Sequence, residues 1–269
     1  MSGFSAEWLA LREPHDIAAH NRSVLDAMLA AFRGQGSISI VDLACGTGAT
    51  VRALGAYLPR RQSWRLVDND LGLLAAAAAL GRPPDLVVSA RAVDLAHDLE
   101  LALDGPIDLI TMSALLDLVS EDWLDRLVVE AAARRLPVYS ALTYDGRVAF
   151  DPPDAFDRSI VAAVNRHQRG NKGFGPALGP DAARHAADVF QRIGYSFVQG
   201  PSDWELGAGD QAIQREVLTG FANAAGELCD LPDRRIADWL ARRMEFVAGG
   251  AATMRVGHVD FFAMPRSIR

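Results

Sequence analysis

Cysteine is nearly absent from this chain: Cys45 and Cys229 are the only two in 269 residues. That excludes a disulfide framework, and the pair stands too far apart for a metal-ligand spacing. The histidines, aspartates and glutamates form no cluster of clear metal spacing either, so no metal is expected. No apolar run approaches the roughly 20 residues that cross a bilayer. The N-terminus lacks an apolar signal core and carries Glu7, Arg12, Glu13 and Asp16 instead. Secretion is therefore not expected, and a cytoplasmic location is. Positive charge is also short. A net charge of −7 makes nucleic acid and anionic membrane poor partners.

What the chain has is apolar mass. Half of its residues are hydrophobic, enough for one sizeable core with insertions. Strand and helix signals alternate from Ile38 to Leu142. The spacing predicts strands over 38–43, 64–68, 86–93, 107–112 and 137–143. Helices are predicted over 48–58, 71–80, 95–101 and 121–135. That alternation is the pattern of a doubly wound α/β fold with a mainly parallel sheet. Tyr195 to Gln199 and the alternating run from Met254 to Met264 read as two closing strands, and 203–250 between them reads as mostly helical. The five alanines Ala75 to Ala79 suit a helix packed closely on the sheet.

The most informative stretch is Ile38-Ser39-Ile40-Val41-Asp42-Leu43-Ala44-Cys45-Gly46-Thr47-Gly48-Ala49-Thr50. A β-type run ends in an acid, turns through two glycines and opens into a helix-like segment. Glycines let such a turn adopt torsions closed to other residues and approach a ligand closely. The helix start offers free N–H groups and partial positive charge to an anionic group. A dinucleotide fingerprint would place a small residue where Val51 stands. Asp68, about 20 residues on at a strand end, is placed to accept both hydroxyls of a ribose, with Asn69 beside it. Capping of the next helix is the alternative for Asp68 and the preferred role of Asp70.

At these residues the chain resembles the class I S-adenosylmethionine-dependent methyltransferases. Their first motif runs acid–hydrophobic–Gly/Ala–x–Gly–x–Gly, and Asp42, Ala44, Cys45, Gly46, Thr47 and Gly48 fit it. The resemblance implies a Rossmann-like seven-stranded sheet with an antiparallel last strand. It also implies that Asp94 bonds the adenine amino group while Leu95 flanks the ring; a helix cap is the equal alternative for Asp94. The end of the fourth strand, Thr111 and Ser113, would face the methionine part of the cofactor, with Asp117 on the substrate side. Asp108, near the start of that strand, reads as structural. The family's Asn/Asp-Pro-Pro-Tyr/Phe tetrapeptide is missing: Asp151-Pro152-Pro153-Asp154 lies after strand five and lacks the aromatic.

Selectivity should lie in the additions to this core. Residues 1–36 read as a helical N-terminal lid, 37–145 as the cofactor-binding core, 146–194 as a substrate-side insertion and 195–269 as terminal strands with a helical insertion. On the lid, Arg12, His15, Asp16, His20, Asn21 and Arg22 form a polar face. It either meets solvent or, through Arg12 and Arg22, meets a carboxylate of cofactor or substrate. In the insertion, Asp145-Gly146 reads as a turn, and residues 165–180 form a basic loop rich in glycine and proline. That loop is either a surface crossing or a recognition loop for an anionic or polar small molecule, with His167 and Lys172 leading. Asp181 would cap the helix that follows. His167 is the first choice for a general base, needed only if the acceptor loses a proton. Tyr144 either orients the acceptor or packs in the core, and His258 reads as a core or edge histidine.

The expected function is transfer of a methyl group from S-adenosylmethionine to a small molecule, on oxygen or nitrogen rather than carbon. A non-catalytic cofactor-binding partner protein is the first alternative. A nicotinamide-dependent oxidoreductase is the second, disfavoured by Val51 and by the closing strand.

Overall fold

The computed structural model describes residues 4–79 and 85–266. Five parallel strands form the core of the sheet: β1 (Ser37–Leu43), β2 (Arg61–Asp68), β3 (Leu86–Ala92), β4 (Leu109–Ser113) and β5 (Val138–Asp151). β6 (Tyr195–Pro201), β7 (Trp204–Leu206) and β8 (Thr253–Pro265) complete it, and β8 runs antiparallel to its three neighbours, β5, β6 and β7. The order is β3-β2-β1-β4-β5-β8-β6, with β7 a short eighth strand on β8. The order in which strands are added reverses between β1 and β4, where a doubly wound sheet opens a crevice at its carboxyl edge.

Period-two alternation divides the strands between two apolar layers. In β1, Ile38 and Ile40 face the layer formed with α2 (Arg22–Ala31), α3 (Ala49–Leu54) and α4 (Leu71–Ala78). Val41 and Leu43 belong to the opposite layer, with α5 (Leu99–Ala102), α6 (Glu121–Arg134) and α8 (Ala182–Arg192). The expected end of α4 at Leu80 lies outside the described residues. α1 (Ala6–Ala19) precedes α2, and the two are separate because Asn21 leaves the helix and caps Val24 N–H at 3.1 Å. No helix among the described residues is long and apolar enough to cross a membrane.

The largest departure from the sequence expectation is β5, which runs on to Asp151 instead of stopping at 143. β8 reaches back to Thr253, so the backbone of 148–151 finds ladder partners there. Asp145-Gly146 is a bulge within this ribbon, not a turn: the register shifts between Tyr144 and Val148. Gly146 has φ +86°, and a Cβ there would stand 2.9 Å from Pro180, so glycine lets the 165–180 loop press on the bulge.

Over the extended ribbon lie α7 (Asp157–Gln168), α9 (Gln211–Glu227) and α10 (Asp233–Ala248). They share an apolar cluster around Ile160, Leu218 and Trp239, with Phe150 of β5 against it. The predicted helix over 48–58 ends at Leu54, where Gly55 follows. That over 95–101 shortens to a turn and the four residues of α5. Asp181 does not cap α8. Its backbone is already helical (φ −88°, ψ −6°), leaving no extended cap geometry, and its carboxylate takes Arg169 and Arg184 instead.

Candidate active site

The turn after β1 carries positive φ at Ala44 (53°), Gly46 (53°) and Gly48 (82°). Ala44 pays for this with a conformation that a side chain disfavours, which marks the turn as constrained. Backbone bonds hold it: Cys45 N–H donates to Val67 at 2.9 Å, and Gly48 N–H to Cys45 at 2.8 Å. A Cβ on Gly46 would stand 3.1 Å from Leu9 of α1, so glycine also lets the N-terminal helix come close. α3 has only six residues, so its dipole is short and the turn itself shapes the site.

Asp68 ends β2 beside this turn. Its Oδ2 accepts the Gly46 N–H at 2.9 Å and its Oδ1 accepts the Asp70 N–H at 3.0 Å. Each oxygen keeps a further lone pair for a ligand donor. Asp70, as expected, caps α4 by accepting from Gly72 and Leu73 N–H. Asp94 caps a turn, not a helix: it accepts the Ala96 N–H at 3.0 Å and lies 3.0 Å from His97 Nδ1. The bond to His97 holds its carboxyl below the usual range. Asp108 accepts the Ser39 N–H at 2.8 Å, the structural role read from the sequence.

Asp68, Asp70 and Asp94 border a cavity of about 560 Å³. Its floor is the turn from Ala44 to Thr47 with Asp68 and Asn69, and Asp94 and Leu95 stand at one end. Ser113, Ala114 and Leu115 form the β4 side, and Lys172 to Phe174 close it from the basic loop. Leu9, Arg12 and Asp16 of α1 roof it.

Arg12 and Asp16 form a double hydrogen bond (Nε–Oδ2 2.8 Å), and the Trp204 indole donates to Asp16 at 2.9 Å. The Arg12 guanidinium lies 5.0 Å from the Trp204 ring, so β7 docks the roof helix. A second latch joins Glu13 to Arg52 at 2.6 Å, and Arg52 also donates to the Thr47 carbonyl at 2.7 Å. Asp16, Glu13 and Arg52 carry no sequence signal for these roles, because their partners lie far along the chain.

Several expected residues lie behind the cavity surface. Asp42 is fully buried, with Thr111 Oγ1 donating to its Oδ1 at 2.8 Å, so both brace the turn from within. Burial pushes the Asp42 carboxyl up to about 7. Gly48 shapes the turn but does not line the cavity.

Tyr144 is buried and its hydroxyl donates to Asn165 Oδ1 at 2.8 Å, which matches the core-packing alternative of its two sequence readings. Asp117 is buried beneath the wall, its carboxyl pushed up to about 6 by burial against the pull of backbone hydrogen bonds and, less, of Arg12 and Lys172. His167 stands one hydrogen bond behind the surface: its Nδ1 is 3.0 Å from Lys172 Nζ and its Nε2 is 2.8 Å from Glu227. Both ring nitrogens are engaged, so His167 does not face an acceptor directly.

Arg22 pairs with Asp26 on the exterior, away from the site. His20 lies 3.1 Å from the Tyr139 hydroxyl and 3.3 Å from Asp260, fixing the break between α1 and α2. His258 is a core histidine between Tyr144 and Trp204. Among the described residues no group of three His, Cys, Asp or Glu could hold a metal ion.

No protein-family model matches the chain, and no curated protein sequence does. Solved structures do. The cyclopropane synthase MmaA2 from Mycobacterium tuberculosis matches with a TM-score of 0.52 at 11% identity, covering 97% of this chain and 94% of that one. A cyclopropane-fatty-acyl-phospholipid synthase-like protein from Lactobacillus casei matches with a TM-score of 0.52 at 14% identity, over the same shares. YcgJ from Bacillus subtilis matches with a TM-score of 0.51 at 12% identity, covering 92% of this chain and all of that one. At such identity the likeness is one of architecture: the chain has the fold of the class I S-adenosylmethionine-dependent methyltransferases.

Proposed function

We propose that this chain transfers a methyl group from S-adenosylmethionine to the oxygen or nitrogen of a small molecule, acting in the cytoplasm as one methyltransferase domain. The observation that carries the reading is the cavity itself. It brings the constrained glycine turn, Asp68, Asp94 and the end of β4 under one roof helix. Its volume falls in the range of small-molecule sites. The residues present fit the cofactor. Asp68 has lone pairs for two ribose hydroxyls, the turn through Gly46 lines the cavity, and Asp94 with Leu95 suits an adenine edge and face. Val51 is a buried apolar residue of α3, which supports this cofactor over a dinucleotide.

When bound, S-adenosylmethionine supplies a methyl group on a positively charged sulfur that is its own leaving group. The protein's part is then to hold, orient and dry. Asp68 and the turn would anchor the nucleoside. Ser113 to Leu115 and the loop carrying Lys172 would shape the acceptor space, with Arg12 above it. Alignment supplies much of the rate in such a displacement. The roof of α1, latched through Glu13 and Trp204, would exclude water. The Arg12 guanidinium in the roof favours an acceptor bearing an anionic group.

Calorimetric titration of the purified protein with S-adenosylhomocysteine, with NADH as control, tests the reading. Saturable binding of S-adenosylhomocysteine alone is expected, followed by an acceptor screen starting with small acids. Binding of NADH alone overturns it. Binding of neither favours a partner protein without transferase activity.

A further inference from the structure

Arginine supplies almost all the positive charge of this chain. Of its 27 lysine and arginine residues 26 are arginine, and Lys172 is the only lysine. That one lysine stands in the cavity wall. A guanidinium stays charged at any pH a protein meets, whereas a lysine amine loses its proton readily when desolvated. A fixed positive charge is met by arginine everywhere else in the molecule. At the cavity the chain has the one cationic side chain that can become a base.

The backbone around Lys172 is built to hold it. Asn171 Oδ1 accepts the N–H groups of Gly173 at 2.8 Å and Gly175 at 3.2 Å. Phe174 packs edge-on against Trp123 at 5.6 Å, and Leu178 N–H donates to Val119 at 2.8 Å. From this fixed turn Nζ stands 3.0 Å from His167 Nδ1, and His167 Nε2 stands 2.8 Å from Glu227 Oε2. A carboxylate at Nε2 selects the tautomer protonated there, which leaves a lone pair on Nδ1 facing Nζ. The Glu227 side chain is 69% exposed. A hydrogen-bonded path therefore runs from the cavity through α7 and the end of α9 to solvent.

We propose that Lys172 is the general base of this site, and that His167 and Glu227 carry the proton it collects to solvent. The proposal rests on the methyl-transfer reading above. The acceptor's O–H or N–H bond breaks, its proton passes to the lone pair of Nζ, and the electron pair left behind forms the bond to the methyl carbon. The carbon–sulfur pair departs with the sulfur. Nζ then gives a proton to His167 Nδ1 while the Nε2 proton moves to Glu227, and the amine is restored.

The charges acting on Nζ are Glu227 and Asp117, which favour its ammonium form. Burial outweighs them and holds the amine below the usual lysine range. In this scheme α7 and α9 supply the two residues of the relay.

A single lysine makes the test direct. Full-length protein grown on lysine labelled with carbon-13 at Cε shows one lysine resonance, and its pH titration reads Lys172 alone. The expected midpoint lies on the acid side of an ordinary lysine, and Glu227→Gln moves it further down by removing a carboxylate that favours the ammonium. A midpoint at or above the ordinary value makes Lys172 a permanent cation and overturns the base. A midpoint unmoved in Glu227→Gln overturns the relay. S-adenosylhomocysteine titration of the same samples separates the two levels. Binding with an ordinary lysine midpoint sinks only this proposal; absence of binding sinks the methyl-transfer reading and this proposal with it.

Discussion

The carboxylate of Asp68 accepts the backbone N–H of Gly46 at 2.9 Å, tying the end of one strand to the glycine turn after its neighbour. The same carboxylate accepts the Asp70 N–H, and Asp70 caps α4. One side chain thus sets the turn, the strand end and the entry of the next helix, and turns its remaining lone pairs to the cavity.

Asp68→Ala removes two charge-assisted acceptors from the nucleoside end of the site. Hydrogen bonds to a charged group are worth about 1.5–3 kcal/mol. S-adenosylhomocysteine affinity should fall by a factor on the order of 30, with the circular dichroism of the fold retained. Calorimetry checks this, and an unchanged affinity would remove the ribose assignment.

Asp42 costs the protein stability as pH rises from acid to neutral. Burial raises its folded-state carboxyl to about 7, above its ordinary value of 3.8. Between those values the folded chain holds a proton that the unfolded chain has lost, so stability falls as pH rises through that window. Asp42→Asn reproduces the neutral form and still accepts from Thr111. Thermal unfolding at pH 5 and pH 8 should show the wild type losing stability relative to this variant, by on the order of a few kcal/mol. Parallel pH dependences in the two proteins would show that Asp42 ionises freely.

His258 works in the opposite direction. Burial first, then the charge of Arg12, pushes its imidazole down to about 3 from 6.5. Below 6.5 the unfolded chain takes up a proton that the folded chain refuses, so stability is lost as pH falls toward 3. His258→Leu removes that loss and should flatten the acid limb of the stability curve. An acid limb as steep as the wild type's would place the acid sensitivity elsewhere.

The Glu13–Arg52 pair joins the roof helix to α3 and to the Thr47 carbonyl. It is partly exposed, so its neutral replacement should cost at most about 1 kcal/mol. Glu13→Gln is expected to speed S-adenosylhomocysteine release roughly fivefold, measured by stopped flow, with little change in melting temperature. An unchanged release rate would mean that α1 does not gate the cavity.

Local features carried much of the fold. The β-type run, the acid and the two glycines of 38–48 were legible because a strand followed by a positive-φ turn is written in neighbouring residues. The helical pattern of 121–135 was legible for the same reason: Ser120 caps α6, and Trp123, Leu124, Leu127, Val128 and Ala131 repeat at helical spacing into the core. The bulge at Asp145-Gly146 was not, since a glycine with positive φ serves a turn or a bulge equally until β8 supplies partners to Asp151.

The same division runs through the site. By itself the sequence determined the glycine turn, the strand end at Asp68 and the alternation of the sheet, because φ preference, period two and period 3.6 act over a few residues. It also contained the single lysine. Only the tertiary structure decided that Lys172 faces the cavity with His167 and Glu227 behind it, that Asp16 receives the Trp204 indole 188 residues away, and that Asp42 and Thr111 stay inside. Those facts are contacts between distant segments, fixed when burial of the two apolar layers brings the insertions onto the sheet.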